Sequence, residues 1–138
     1  LNALPGCDIF IAAAAVADYR PQTIAHEKIK KTTSDTMTLT LIKNPDIVAS
    51  ISSSNPRPYT VGFAAETQNV GHYAKDKLKR KQLDMIAAND VSDKSIGFNS
   101  EQNALQVYWM DGEKMLGTAD KLVLAKELLQ LVAERYNK

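Results

Sequence analysis

Two groups of residues have types and spacings suited to chemistry. The first is rich in lysine: Lys28, Lys30 and Lys31 fall together in a polar stretch, and Lys75, Lys77, Lys79, Arg80 and Lys81 form a second run. Charge runs usually mark a solvated face. Lys77 and Lys81, however, are four residues apart, the spacing that puts two side chains on one face of a helix. Two such ammonium groups can reach one polyphosphate. Asn44-Pro45-Asp46 adds the signature of a helix start, with an N-capping Asn, a Pro suited to the first helical position and an Asp at the positive end of the dipole. The free N–H groups of such an end suit an anion. The second group comprises Asp18, Glu66 and Asn89-Asp90, each following an apolar run. In open α/β sheets ligands sit beyond the carboxyl ends of the strands, although an isolated Asp or Asn there also serves as a cap or turn former. Together the two groups point to a bound triphosphate and do not say which base it carries.

The elements that must position these residues read as alternating strands and helices. Asp8–Val16, Tyr59–Ala65 and Leu83–Ala88 are apolar runs of the kind found in central parallel strands buried on both faces. Gln22–Thr36 reads as a long loop, with a short strand near Lys28–Lys31, and Met37–Ile42 alternates as a strand with one wetter face. Helices are expected from Asn44 to about Ser53 and from about Asn69 to Lys81, and Val91–Asn99 reads as loop. Ala104–Trp109 and Glu113–Leu116 flank Asp111-Gly112, a hairpin signal. Thr118 is expected to cap a last helix, with Asp120 in its first turn and a core stripe of Leu122, Ala125, Leu128, Leu129, Val132 and Tyr136. The pattern predicts an α/β fold with a mainly parallel sheet and an antiparallel edge hairpin.

Composition excludes several functions. The 138 residues are 44% hydrophobic and 24% charged, with a formal net charge of +1, so bulk charge gives no case for nucleic acid or membrane. Cys7 is the only cysteine; no internal disulfide can form, and a reducing, cytoplasmic setting is expected. No apolar run is long enough to span a bilayer. Walker A and G-x-G-x-x-G sequences are missing, as is a spaced Cys/His cluster, and His26 and His72 stand isolated. These features argue against a zinc enzyme or a hydrolase triad.

Several strings, taken in order, resemble one family. They are Ala13-Ala-Ala-Val-Ala-Asp18-Tyr-Arg-Pro21, Glu27-Lys-Ile-Lys-Lys31, Lys43-Asn-Pro-Asp-Ile47, Val61-Gly-Phe-Ala-Ala-Glu-Thr67, Leu83-Asp84 with Ala88-Asn-Asp-Val91, and Gly97-Phe-Asn-Ser100. The ordered set resembles the phosphopantothenate–cysteine ligase domain of the bifunctional bacterial coenzyme A biosynthesis flavoprotein, over essentially the whole chain. The resemblance implies a Rossmann-like fold, a homodimer, CTP as co-substrate and Mg²⁺ or Mn²⁺. It implies ligation of 4'-phosphopantothenate to L-cysteine through an acyl-cytidylate, with FMN confined to the preceding decarboxylase domain.

Carried over by motif, Ala12, Ala13, Ala14 and Asp18 would line the nucleotide site. Lys28 matches the family's mobile-loop lysine and would neutralise charge as the cytidylate forms or breaks down. Asn44, Pro45, Asp46 and Ile47 would offer a helix N-terminus to the nucleotide. Phe63 would pack against cytosine, and Lys77 and Lys81 would hold phosphates. Cytosine specificity comes from the resemblance alone.

The first residue is Leu1. Compared with the family pattern, residues 1–138 correspond to the C-terminal part of one ligase domain. The glycine-rich N-terminal segment of that domain is outside this chain, so full turnover is not expected from these residues by themselves. The rival readings are a non-catalytic nucleotide-binding or assembly module of the same fold, an NAD-linked oxidoreductase, and an RNA-binding module using the Lys75–Lys81 run. The missing glycine fingerprint weakens the second, and the scarcity of stacking aromatics weakens the third.

Overall fold

The computed structural model describes residues 4–30, 34–90 and 102–138. The chain forms two compact units, one comprising Leu1–Ala13 and Val48–Lys138, the other Ala14–Ile47.

In the first unit the apolar runs become a five-stranded mixed sheet in the order β1-β4-β5-β6-β7. Its strands are β1 (Ile9–Ile11), β4 (Tyr59–Glu66), β5 (Met85–Asp90), β6 (Gln102–Trp109) and β7 (Gly112–Asp120). β1, β4 and β5 run parallel, with Ile11 opposite Val61 and Val61 opposite Met85. β6 and β7 are antiparallel additions at one side. The α/β architecture with an antiparallel edge hairpin therefore stands.

Both faces of the sheet are covered. On one face Val61, Met85, Ala87, Val107 and Leu116 pack against Leu124, Leu128, Leu131 and Val132 of α3 (Lys121–Tyr136). On the other, Ala64, Ile86, Ala88 and Tyr108 pack against Val70, Ala74 and Leu78 of α2 (Val70–Arg80). α1 (Ile47–Ser52) precedes β4, and its Val48 joins the same cluster. Met85, Ile86, Ala87 and Ala88 are each 0% exposed, which explains why a strand buried on both faces carries no polar alternation.

α2 ends in a Schellman motif. Gln82 takes φ 52°, the Leu83 N–H donates to the Leu78 carbonyl at 2.9 Å and the Gln82 N–H to the Lys79 carbonyl at 3.1 Å. Leu78 and Leu83, both buried, make the apolar contact that accompanies such an end.

The second unit holds a two-stranded antiparallel ribbon, β2 (Tyr19–Pro21) and β3 (Leu41–Lys43), with Arg20 opposite Ile42. Its side chains are largely exposed, including Val16, Tyr19, Ile24, Ile29, Met37, Leu39 and Leu41.

The structure corrects several sequence-based expectations. The apolar run Asp8–Val16 is a strand only over Ile9–Ile11. The Ala12 N–H donates to the Val61 carbonyl, and beyond that point the chain leaves the ladder, with Ala13–Ala17 exposed. Alanine methyls bury little area, so such a run need not be core. Tyr19–Pro21, expected to end that strand, forms β2. The strand expected over Met37–Ile42 is confined to Leu41–Lys43, and Lys28–Lys30 form no strand. Thr118 lies within β7 rather than capping α3, and Asp120 takes the N-cap position. On α3 the buried stripe is Leu124, Leu128, Leu131 and Val132, whereas Leu122, Ala125, Leu129 and Tyr136 are exposed. The helix is apolar on more than one side, and its seat on β6 and β7 selects which side is buried. Val91–Asn99, the string Gly97–Ser100 and Lys31 lie outside the described residues.

Candidate functional site

Lys77 and Lys81 do share one side of a helix. Both are half-buried in the last part of α2 and at its C-cap. The helical period places them on the flank opposite Gly71 and Lys75. The Lys81 carbonyl accepts a 2.6 Å hydrogen bond from Ser52 Oγ at the end of α1, so α1 and α2 lie on the same face of the sheet. α2 runs back from the carboxyl end of β4 to the start of β5. Lys81 consequently stands toward the amino-terminal ends of these strands, away from their carboxyl tips.

Those tips carry the expected polar groups. Glu66 and Asp90 are register partners on β4 and β5, next to Ala65 and Asn89. Glu66 and Asn89 are half-buried and Asp90 is exposed. At the end of β1, Ala12 is half-buried and Ala13 exposed. Phe63, also half-buried, points to the α3 face and packs against the cluster around Val61 and Leu128. Strand alternation thus separates Phe63 from Lys77 and Lys81, which lie on the α2 face. These three residues are not brought together.

In the second unit, Asp18 and Asn44 meet. The Asn44 N–H donates to the Asp18 carbonyl at 2.7 Å, and Asn44 Nδ2 donates to the Ala17 carbonyl at 2.7 Å. Asn44 Oδ1 accepts from Arg20 Nη1 at 2.8 Å. The Asn44 side chain therefore ties the start of β2 to the end of β3 instead of capping α1. The helix begins at Ile47, so Pro45 and Asp46 precede it. Ala14 and Lys28 are exposed in this unit. Arg20, which sequence reasoning did not single out, holds Asn44 from across the ribbon; its place in the Asp18-Tyr19-Arg20-Pro21 string was the available signal.

Two further clusters were not legible. Lys75 Nζ lies 2.7 Å from Glu113 Oε2 and 5.0 Å from the centre of the Tyr108 ring. Hydrogen bonding to Glu113 raises the Lys75 pKa above its usual value. Burial raises that of Tyr108, with Glu113 adding to the effect and Lys75 opposing it. At the amino-terminal ends of the strands, a recess of about 480 Å³ is lined by Arg57, Tyr59, Lys79, Asp84, Trp109 and Arg135 among others. Arg57 pairs with Asp84 and donates to the Gln82 carbonyl, and Arg135 pairs with Asp111 and lies over Trp109. This recess is built from structural pairs, and none of the sequence-predicted site residues lines it. Among the described residues no group of three His, Cys, Asp or Glu side chains is placed to hold a metal ion. None of their helices is long and apolar enough to cross a membrane.

Comparison with known proteins decides the family. The model of the DNA/pantothenate metabolism flavoprotein C-terminal domain matches residues 1–136. The chain belongs to this family. It is 58% identical over 127 residues to the coenzyme A biosynthesis bifunctional protein CoaBC of Vibrio vulnificus strain CMCP6, covering 91% of this chain and 32% of that protein. It is 53% identical over 133 residues to CoaBC of Escherichia coli strain K12, covering 94% and 33%. The chain thus spans about a third of the length of these relatives. The crystal structure of the C-terminal domain of a CoaBC matches with a TM-score of 0.74 at 29% identity, over 99% of this chain and 59% of that one. The ordered strings and the alternating strand–helix pattern thus lead to the same family as the comparisons.

Proposed function

We propose that this chain is part of a CTP-dependent ligase that joins 4'-phosphopantothenate to L-cysteine in coenzyme A biosynthesis. The observation that carries the reading is the family match over residues 1–136, with about half of all positions identical to CoaBC proteins. The half-buried pair Lys77 and Lys81 on one flank of α2 supplies the positive charge that a nucleotide phosphate needs.

In the proposed reaction a carboxylate oxygen of 4'-phosphopantothenate attacks the α-phosphorus of CTP, and the bond to pyrophosphate breaks. The cysteine amine then attacks the acyl carbon, loses a proton, and CMP leaves. The protein's task is to position the two reactants and to stabilise charge on the transferred phosphoryl group. Lys28, exposed on the ribbon unit, is assigned charge neutralisation at that step. Lys77 and Lys81 are assigned the phosphates. Ala12, Ala13, Ala14, Asp18 and the Asn44–Ile47 segment are assigned the nucleotide, and Phe63 the cytosine, on the resemblance alone, since within one chain Phe63 lies on the α3 face and the two lysines on the α2 face. Mg²⁺ or Mn²⁺ would ride on the triphosphate, since such ions commonly keep substrate phosphates as ligands; no step is assigned to it.

The same reading includes a homodimer. A two-stranded ribbon is marginal by itself, and the exposed Tyr19, Ile24, Met37, Leu39 and Leu41 give a second copy an apolar surface to cover. Contacts near Thr38 and along Ala104–Leu116 are proposed.

Calorimetric titration with CTP and Mg²⁺, with ATP as control and Lys77→Ala alongside, tests the nucleotide assignment. Selective binding of CTP that the substitution weakens is the expected result. Equal binding of CTP and ATP would instead favour a nucleotide-binding or assembly module without the ligase specificity.

A further inference from the structure

α2 is locked on one flank and carries its candidate phosphate ligands on the other. Gly71 and Lys75, four residues apart, face the β6–β7 hairpin. A Cβ at Gly71 would stand 2.8 Å from Tyr108 Oη, so the helix approaches the tyrosine as closely as a glycine permits. One turn later Lys75 reaches both the Tyr108 ring at 5.0 Å and Glu113 Oε2 at 2.7 Å. Tyr108 and Glu113 are cross-strand partners, so both contacts of Lys75 sit on one rung of the hairpin. Tyr108 is itself fixed, its hydroxyl donating to Gln106 Oε1 at 2.6 Å.

Along the body of α2 the remaining anchors are apolar, Val70, Ala74 and Leu78, and at its C-cap the Lys81 carbonyl is held by Ser52 Oγ at 2.6 Å. Apolar burial is non-directional. It holds the helix to the sheet and sets its rotation only weakly, all the more because Ala74 at the centre is small. The directional contacts on the Lys75 flank fix that rotation in the middle of the helix, as the Ser52 hydrogen bond does at its end. Side chains stand about 5–6 Å from a helix axis, so a rotation of ~10° moves a lysine on the far flank by about 1 Å. A shift of that size is enough to cost up to ~100-fold in a positioned reaction.

We propose that Lys75 and Glu113, with Tyr108 beneath them, are positioning residues for the nucleotide: they act through the rotation of α2 on Lys77 and Lys81. The proposal rests on the assignment of these two lysines to the phosphates. The Lys75 side chain is engaged by Glu113 and Tyr108 and is directed away from the Lys77 flank.

Steady-state ligation by the whole protein that carries this chain, with CTP varied, tests it. Lys75→Met keeps the aliphatic stem and removes the charge. It is expected to raise KM for CTP by up to about fivefold and to leave KM for cysteine unchanged. The pair is exposed, so the melting temperature should move little. Exchanging the charges, with Lys75→Glu and Glu113→Lys together, is expected to restore most of the CTP affinity that Lys75→Glu alone loses. A loss of packing alone would not separate the two KM values or be rescued by the exchange. If Lys77→Ala raises KM for CTP and Lys75→Met does not, the positioning role is overturned while the lysine assignment stands. If Lys77→Ala has no effect on KM for CTP, the assignment itself falls, and this proposal with it.

Discussion

The indole of Trp109 occupies the space where a side chain on Gly112 would stand. The two are register partners at the mouth of the β6–β7 hairpin, and a Cβ on Gly112 would lie 2.7 Å from the ring. Arg135 of α3 covers the ring at 4.9 Å and is held by Asp111 at 3.0 Å. One glycine therefore lets the hairpin turn and the end of α3 close on each other. Gly112→Ala is expected to cost about 1–3 kcal/mol, the usual penalty for forcing atoms into a packed site. Gly117→Ala, where a Cβ meets nothing within 4 Å, should cost close to nothing. Trp109 is the only tryptophan, so urea unfolding followed by its fluorescence reports both substitutions. Equal midpoints would overturn the account.

Asp84 ties the starts of two strands together. Its Oδ2 accepts from the Thr60 N–H at 2.7 Å, its Oδ1 pairs with Arg57, and its own N–H donates to the Thr60 carbonyl at 3.0 Å. Thr60 is 0% exposed, so removing the carboxylate strands a buried donor. Asp84→Ala is expected to cost about 2–3 kcal/mol, most of it from that orphaned N–H. The ion pair contributes less, because both partners are partly exposed. Arg57→Met should accordingly be the milder change in the same unfolding measurement. If Arg57→Met proves the more damaging, the donor argument fails.

Gln82 sits at φ 52° in the Schellman end of α2. A side chain disfavours that region, and glycine does not. Gln82→Gly leaves the backbone carbonyl that accepts from Arg57 in place. It is expected to stabilise the fold by about 0.5–1 kcal/mol, seen as a rise of roughly 2–4 °C in melting temperature. A fall would show that the Gln82 side chain contributes more than its backbone costs.

Much of this fold was legible where burial forces a simple pattern. β4 and β5 are covered by helices on both faces, so Tyr59–Ala65 and the run around Ile86 read directly as strands. Lys77 and Lys81 read as one helix face because that depends only on the helical period. Other features depend on partners far along the chain. Asn44 has the residue type of an N-cap, yet its side chain bonds to Ala17 and Arg20, 27 and 24 residues away. Leu122 and Leu129 look as core-like as Leu124 and Leu128, and only the docking of α3 on β6 and β7 separates them. Phe63 and Lys77 share a motif-based assignment, but strand parity sends Phe63 to the α3 face. The Lys75–Glu113–Tyr108 cluster joins a helix to a hairpin, and no local pattern announces it.

The same cluster gives a pH dependence with a definite sign. Tyr59 and Tyr108 both have pKa values above the ordinary 10.0, in each case first through burial; Asp84 adds to the effect at Tyr59 and Glu113 at Tyr108. Lys75 is also raised, chiefly by its hydrogen bond to Glu113. A raised value means that the folded chain holds its proton more tightly than the unfolded one. The stability these groups contribute is complete below about pH 10 and is lost as pH rises through their folded values. Unfolding midpoints in urea are therefore expected to be flat from about pH 7 to about pH 9 and to fall above about pH 10. Tyr108→Phe should make that alkaline decline shallower, because the neutral ring has no proton to lose. A decline that begins below about pH 9, or one that Tyr108→Phe leaves unchanged, would count against burial of these phenols as its cause.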